Sequence, residues 1–493
     1  MLTLIAATLL SAVPGTLAKT VTYPPVEGRE INDAFKVNVR CVGSPEWEDV
    51  TCYAVSVDRV DNGKHCSEKS SFCSFDFSGE VEVRVTSAAR ISQTRIRPLS
   101  YGIEPSIQGD TIRFTLDRPR NLSIEVNGDI FHNLLLFANP ISKDRPDRKQ
   151  IAKDRSLIYF GPGCHRLEGG RMDIPSNTRV YVDGGAWVEG TLCVRDAENV
   201  KISGRGMVRP ERGYGVEIKG SKNVEVEGLV VTQCPVGASD GVIVRNVKSI
   251  THYGWGDGMN VFASSNVLFD GVFCRNSDDC TTVYATRLGH VGGCSNISMI
   301  NSTLWADVAH PVFIGLHGAA SYKKDVAERG LPYAEDPDEV ILRHDIIENV
   351  TYRNIDILDH AERQIDYQGC MAIACGDNNI VRNVLFEDIR VEDIRTGQLL
   401  SIRILHNQKY CQAPGLSVSG ITFRNVSYNG TRSEMSHIEG YDCERMVSNV
   451  VFENLVINGL HISDDMPEKP KWYKTGDFAR ILIGSHTDNI TFR

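Results

Sequence analysis

The sequence predicts an all-β protein: a right-handed parallel β-helix preceded by a small β-sandwich-like domain. Two patterns carry this. Beyond residue 155 a unit of the form Asn-[Val/Ile]-x-apolar recurs, with first intervals of 24, 23 and 20 residues between Asn199, Asn223, Asn246 and Asn266. A period of this size marks a solenoid. Between residue 19 and about 145, short runs instead alternate apolar and polar residues with the period of two expected of strands.

The chain has 493 residues, more than one ordinary core accommodates. Its apolar fraction is 41% and its charged fraction 24%, as in folded proteins. The formal net charge of −10 argues against a nucleic-acid partner, which needs a basic face.

Residues 1–18 (MLTLIAATLLSAVPGTLA) read as a signal peptide. The apolar stretch Leu2 to Val13 precedes Pro14-Gly15 and small residues at Thr16 and Ala18, so cleavage after Ala18 is expected. No later stretch reaches the ~18 apolar residues of a membrane span. The expectation is a secreted, extracellular, monomeric protein with no membrane partner. Fourteen cysteines and seven Asn-x-Ser/Thr sites (Asn121, Asn296, Asn301, Asn349, Asn425, Asn429, Asn489) fit that route. Plausible local bridges are Cys41–Cys52, Cys66–Cys73, Cys164–Cys193 and Cys280–Cys294. No CxxC, HExxH or EF-hand pattern exists, so no metal and no cofactor is expected.

Residues 19–145 contain strand-like runs such as Phe35-Lys36-Val37-Asn38-Val39 and Val81-Glu82-Val83-Arg84-Val85. They read as a β-sandwich-like domain. The charged run from Lys143 to Arg155 reads as a linker or a short capping helix. The β-helix then occupies 150–493. Its repeats continue at Asn296, Asn349, Asn383, Asn449 and Asn489, with Gly420 to Asn425 as a weaker copy. Each Asn tolerates left-handed backbone and can bond a stacked neighbour, so most of them are structural. The largest irregular insert runs from Ala319 to about His344.

The chemistry concentrates in Gly254-Trp255-Gly256-Asp257-Gly258 and Asn276-Ser277-Asp278-Asp279-Cys280. Asp257 and Asp278 are 21 residues apart, one coil of the solenoid, and are expected to stack. Three adjacent carboxylates repel one another, so at least one should hold a proton near neutral pH. A protonated acid beside an ionised base is what glycosidic cleavage requires.

This region resembles the family 28 glycoside hydrolases, the polygalacturonases and rhamnogalacturonan hydrolases. Asp257-Gly258 resembles their first Asp motif, although Trp255-Gly256 replaces the usual Asn-Thr. Asn276-Ser277-Asp278-Asp279-Cys280 resembles the second, with Cys294 at the place of its partner cysteine. Gly161 to Leu167 and Asp183 to Gly190 resemble the entry coils. The leading β-sandwich is similar to family 49, the dextranases and isopullulanases. The resemblance implies hydrolysis of a polysaccharide or oligosaccharide with inversion, Asp278 as general acid and Asp257 and Asp279 as bases.

After Asp279 the pattern departs. His310 and His317 stand nearest the family's Gly-His-Gly motif, and Arg403-Ile404-Leu405 lacks the Lys of Arg-Ile-Lys. Substrate-binding candidates are therefore His310, His317, Arg403 and Trp255, with Tyr284, Arg287 and Tyr367 unranked. The missing Lys leaves open a glucan substrate of the dextranase or isopullulanase type. A polysaccharide lyase on the same scaffold and a non-catalytic glycan-binding β-helix are the rival readings.

Overall fold

The computed structural model describes residues 18–61, 63–431, 433–467 and 469–493. All but the last residue of the expected leader 1–18 lie outside these. One 28-stranded sheet winds from Leu157 to Phe492. Each coil contributes up to three short parallel strands, one to each of three faces. Typical members are Ser265–Asp270 on the first face, Phe273–Asn276 on the second and Thr281–Tyr284 on the third.

Stacking in register puts like residues on like. Val200, Val224, Val242, Val267, Ile297, Val350, Val384, Ile421, Val450 and Ile490 form one column on the first face. All but Ile490 are buried. Beside them Tyr352, Phe386, Phe423, Phe452 and Phe492 stack ring on ring, with centroids 4.6 to 5.6 Å apart. These spacings follow the ~4.8 Å rise between parallel strands. The burial removes large apolar area from water and is the main stabilising term.

The polar edge of each coil repeats too. The side-chain amides of Asn349 and Asn489 donate to the residue one coil back, Asn296 at 3.3 Å and Asn449 at 2.7 Å. These asparagines have positive φ, which the short amide side chain tolerates. Asn246 does not belong to this column. The register places Gly241 there, one coil after Asn223, and Asn246 opens a second column at the other end of the first face, continued by Asn301, Asn354, Asp388, Asn425 and Asn454. The 23-residue interval read from the sequence therefore joined two different corners.

Residues 19–140 form a five-stranded and a six-stranded sheet packed over Val37, Val39, Phe75, Val83, Ile112 and Leu136. The alternating burial of Val81–Ser87 is the period-two pattern realised. The six-stranded sheet has a second apolar face. Tyr53, Phe72, Leu135 and Phe137 pack on Met207, Val230, Ile250, Phe273, Trp305 and Leu358 of the β-helix. The N-terminal sheets thus lie against the second face of the helix. In the charged run, Asp147 caps a short helix, Arg148–Lys153, through a capping box.

All fourteen cysteines are free thiols. The strand register also separates two of the expected pairs, Cys66 from Cys73 and Cys164 from Cys193. Cys66 and Cys73 lie on one strand, seven residues or ~23 Å apart, far beyond the ~7 Å Cα limit of a disulfide. Cys164 stands opposite Trp187, whereas Cys193 stands opposite Asp173 and Glu217. Cys41 faces Val81, and Cys294 donates to the carbonyl of Tyr284 at 3.0 Å. The register brings Cys52 opposite Cys73 instead.

Candidate active site

The turns leading from the second face to the third bring the carboxylates together. Asp257 precedes Met259–Phe262, Asp278 and Asp279 precede Thr281–Tyr284, and His310 precedes Val312–Gly315. The strands pair Met259 with Thr281, a step of 22 residues. The Gly258 N–H donates to the Asp279 carbonyl at 2.8 Å, carrying the same step into the turn. Asp257 therefore stands over Asp279, and Asp278 is set one residue aside. The expected 21-residue stacking of Asp257 on Asp278 is corrected by one position.

The local sequence explains the tight turn. A Cβ at Gly258 would lie 2.4 Å from the Cys280 carbonyl oxygen, and one at Gly256 would lie 2.2 Å from Ser277 Oγ. Only glycine on both sides of Asp257 admits the next coil this closely. Asn276 Nδ2 donates to the Asp257 carbonyl at 3.1 Å, and Ser277 Oγ donates to the Tyr253 carbonyl at 2.6 Å. Asn260 Nδ2 donates to Asp257 Oδ2 at 2.5 Å, while Asn260 Oδ1 is buried without a partner.

Asp279 is buried and held by His310. The His310 backbone N–H donates to Asp279 Oδ1 at 3.1 Å, and the ring Nδ1 lies 2.7 Å from the same oxygen. On the other side His310 Nε2 bonds the Tyr367 carbonyl. A carbonyl only accepts, so Nε2 carries hydrogen; bonding the carboxylate through Nδ1 as well requires the imidazolium. Burial pulls the His310 pKa down, but the Asp279 carboxylate outweighs it and the net shift is upward. The His310 ring also stacks on Phe313 at 4.3 Å.

Asp278 is the opposite case. Burial, then the charges of Asp257 and Asp279, push its pKa well above the carboxylate range. Burial, then Asp279, raises Asp257 to about 7. Within the cluster, Asp278 and Asp257 are thus both shifted towards holding a proton, and they titrate together.

The other candidates spread out. His317 is buried against Tyr284, ring centroids 5.0 Å apart, and burial with the nearby Arg287 and Arg329 keeps it neutral. The Tyr284 hydroxyl donates to Asp279 Oδ2 at 3.3 Å. Trp255, two residues before Asp257, holds φ at 60° and leaves its indole 87% exposed. Arg403 lies on the third face three coils beyond Tyr284, ~14 Å along the axis. Its guanidinium bonds Asp366 at 2.7 Å and faces Glu439 at 3.5 Å. Arg287 is likewise held by Asp325 of the inserted helix Tyr322–Arg329.

Glu362 was missed by sequence reasoning. It is 4% exposed, lies on the same line of turns, and its charge acts on both Asp278 and His310. The coil before it is swollen to 53 residues between Asn296 and Asn349 and its own runs 34 to Asn383, so no spacing signal pointed to it. Among the described residues no group of three His, Cys, Asp or Glu has a metal-binding arrangement.

No protein-family model matches the sequence, and no curated protein matches it. Among solved structures, Dex49A from Penicillium minioluteum aligns at 12% identity over 95% of this chain and 96% of its own, with a TM-score of 0.54. A family 28 exopolygalacturonase from Yersinia enterocolitica aligns at 10% identity over 83% and 96%, TM-score 0.49. An endo-xylogalacturonan hydrolase from Aspergillus tubingensis aligns at 14% over 72% and 96%, TM-score 0.36. The chain has the right-handed parallel β-helix fold of Dex49A, shared over nearly the full length of both.

Proposed function

We propose that this chain is a secreted, monomeric glycoside hydrolase that cleaves a polysaccharide by inverting general acid/base hydrolysis. One observation carries the reading: one corner of the helix gathers Asp257, Asp278 and Asp279 on neighbouring turns, with His310 Nδ1 2.7 Å from Asp279 Oδ1 and Asp278 left, among the described residues, without such a partner cation. In this mechanism Asp278 gives its proton to the leaving glycosidic oxygen. Asp279, with Asp257, takes a proton from the water that attacks the anomeric carbon from the other side. The developing positive charge on the sugar is favoured by the surrounding carboxylates. Inversion follows the family resemblance and calls for a water between base and sugar. The route out of the cell rests on the leader-like residues 1–18.

Arg403 favours a second reading of the substrate. Its charge is already balanced by Asp366 and Glu439, which leaves it less available to a uronate carboxylate. That supports a neutral glucan of the dextranase or isopullulanase type over polygalacturonate. Incubation with pectic and glucan polymers, with product sizes read by chromatography and the anomer by NMR, tests both points. Release of reducing ends with inverted configuration is expected. Unsaturated products would instead mark a lyase.

A further inference from the structure

The N-terminal sheets reach the catalytic turns at the Arg275 guanidinium. Arg275 is fully buried three residues before Asp278, at the end of the second-face strand Phe273–Asn276. Asp307 is buried three residues before His310, one coil on. Arg275 Nε and Nη2 bond the Asp307 carboxylate at 3.0 and 3.2 Å. The Asp307 N–H donates to the Asn276 carbonyl at 2.8 Å. This ion pair ties together the strand ends that deliver Asp278, Asp279 and His310.

The β-helix supplies only half of the cage. Arg275 Nη1 donates to Asn133 Oδ1 at 2.7 Å and Nη2 donates to the Ile130 carbonyl at 2.8 Å, both from the N-terminal strand Asp129–Pro140. Asn133 is itself fully buried and anchored. Its Nδ2 donates to Ser123 Oγ, and Ser70 Oγ donates to its Oδ1, each at 2.8 Å. The Trp305 indole lies 4.1 Å from the Arg275 guanidinium and 4.5 Å from that of Arg97, which bonds Glu125 at 2.7 Å. A buried guanidinium that loses one partner must desolvate unpaired donors or turn to find another acceptor.

We infer that Asn133 is a positioning residue: by completing the Arg275 cage it lets the N-terminal domain set the spacing between the Asp278–Asp279 turn and His310. The inference rests on reading those three groups as the hydrolytic machinery. Among the described residues the Arg275 hydrogen bonds go to Asp307, Asn133 and the Ile130 carbonyl, so the domain enters this cage through the strand Asp129–Pro140, and Asn133 is its one side-chain hydrogen-bond partner there.

Asn133→Ala tests it. The expected result is a kcat lower by ~10–100-fold, the scale of a small misplacement of reacting groups, with KM unchanged because the third face is untouched. The His310 ring, followed by NMR titration without substrate, should titrate at lower pH as Asp279 moves away. Asn133→Asp keeps an acceptor oxygen for Arg275 and should restore both readouts. If Asn133→Ala does not fold, Ser123→Ala, which frees the Asn133 amide, should move both readouts the same way by less. A folded variant with lowered Tm but unchanged kcat and unchanged His310 titration would overturn the inference. A chain that hydrolyses no glycan yet shows the His310 shift would refute the proposed reaction and leave the positioning role standing.

Discussion

Asp257 stands over Asp279, one coil apart, because Gly258 N–H bonds the Asp279 carbonyl at 2.8 Å. Stacking two carboxylates on the coil spacing makes their charges interact, and of the two only Asp279 is bonded by His310, at 2.7 Å.

This arrangement makes stability pH-dependent. Asp257 rises from the usual carboxylate value to about 7 on folding. A raised folded pKa contributes stability that is complete below the unfolded value, ~4, and is lost as pH rises through the folded one. His310, also raised, loses its contribution from ~6.5 upward. Tm should therefore be higher at pH 5 than at pH 8, and Asp257→Asn should flatten the slope. A Tm that climbs from pH 5 to 8 in the wild type would contradict these proton assignments.

Glu362→Gln removes a negative charge that helps keep Asp278 protonated. The alkaline limb of the pH–rate profile should move to lower pH. An unmoved limb, measured on a folded variant, would take Glu362 out of the electrostatics of the site.

Trp255→Ala should barely change stability, since the indole is 87% exposed. If the ring stacks on a sugar, KM should rise by a factor of ~5, for an aromatic contact of ~1 kcal/mol, with kcat near normal. Equal KM in both proteins would assign the ring no substrate contact.

Phe423→Ala opens the aromatic stack between Phe386 and Phe452, whose centroids lie 4.7 and 5.0 Å away. Denaturant unfolding should show a loss of ~3–5 kcal/mol. A loss under ~1 kcal/mol would mean the column collapses to fill the gap.

The repeat period and the alternating N-terminal runs were enough to read the fold class, because a solenoid writes its coil length into the sequence. Their limits are equally physical. Asn246 and the 21-residue step misled because two corners of each coil use the same left-handed Asn, and register is decided by hydrogen bonds rather than by counting. Asp257, Asp278 and Asp279 were legible because their two motifs fall about one coil apart, whereas His310 stood level with His317 until its contact with Asp279 separated them. Glu362 lies beyond an inserted loop that breaks the period. Asn133 acts across 142 residues of chain, through a contact that only docking of the two domains creates.

The most direct test is turnover of the purified Asp278→Asn protein on the glycan that the wild type cleaves, beside Asp270→Asn as control. Asp270 lies at the far end of the first face, where it accepts from Asn301 at 2.9 Å. Asp278→Asn should keep its fold and lose ~10²–10⁴-fold or more in kcat, with Asp270→Asn near normal. A stable Asp278→Asn protein with near-normal turnover, beside an inactive Asp270→Asn, would place the site elsewhere.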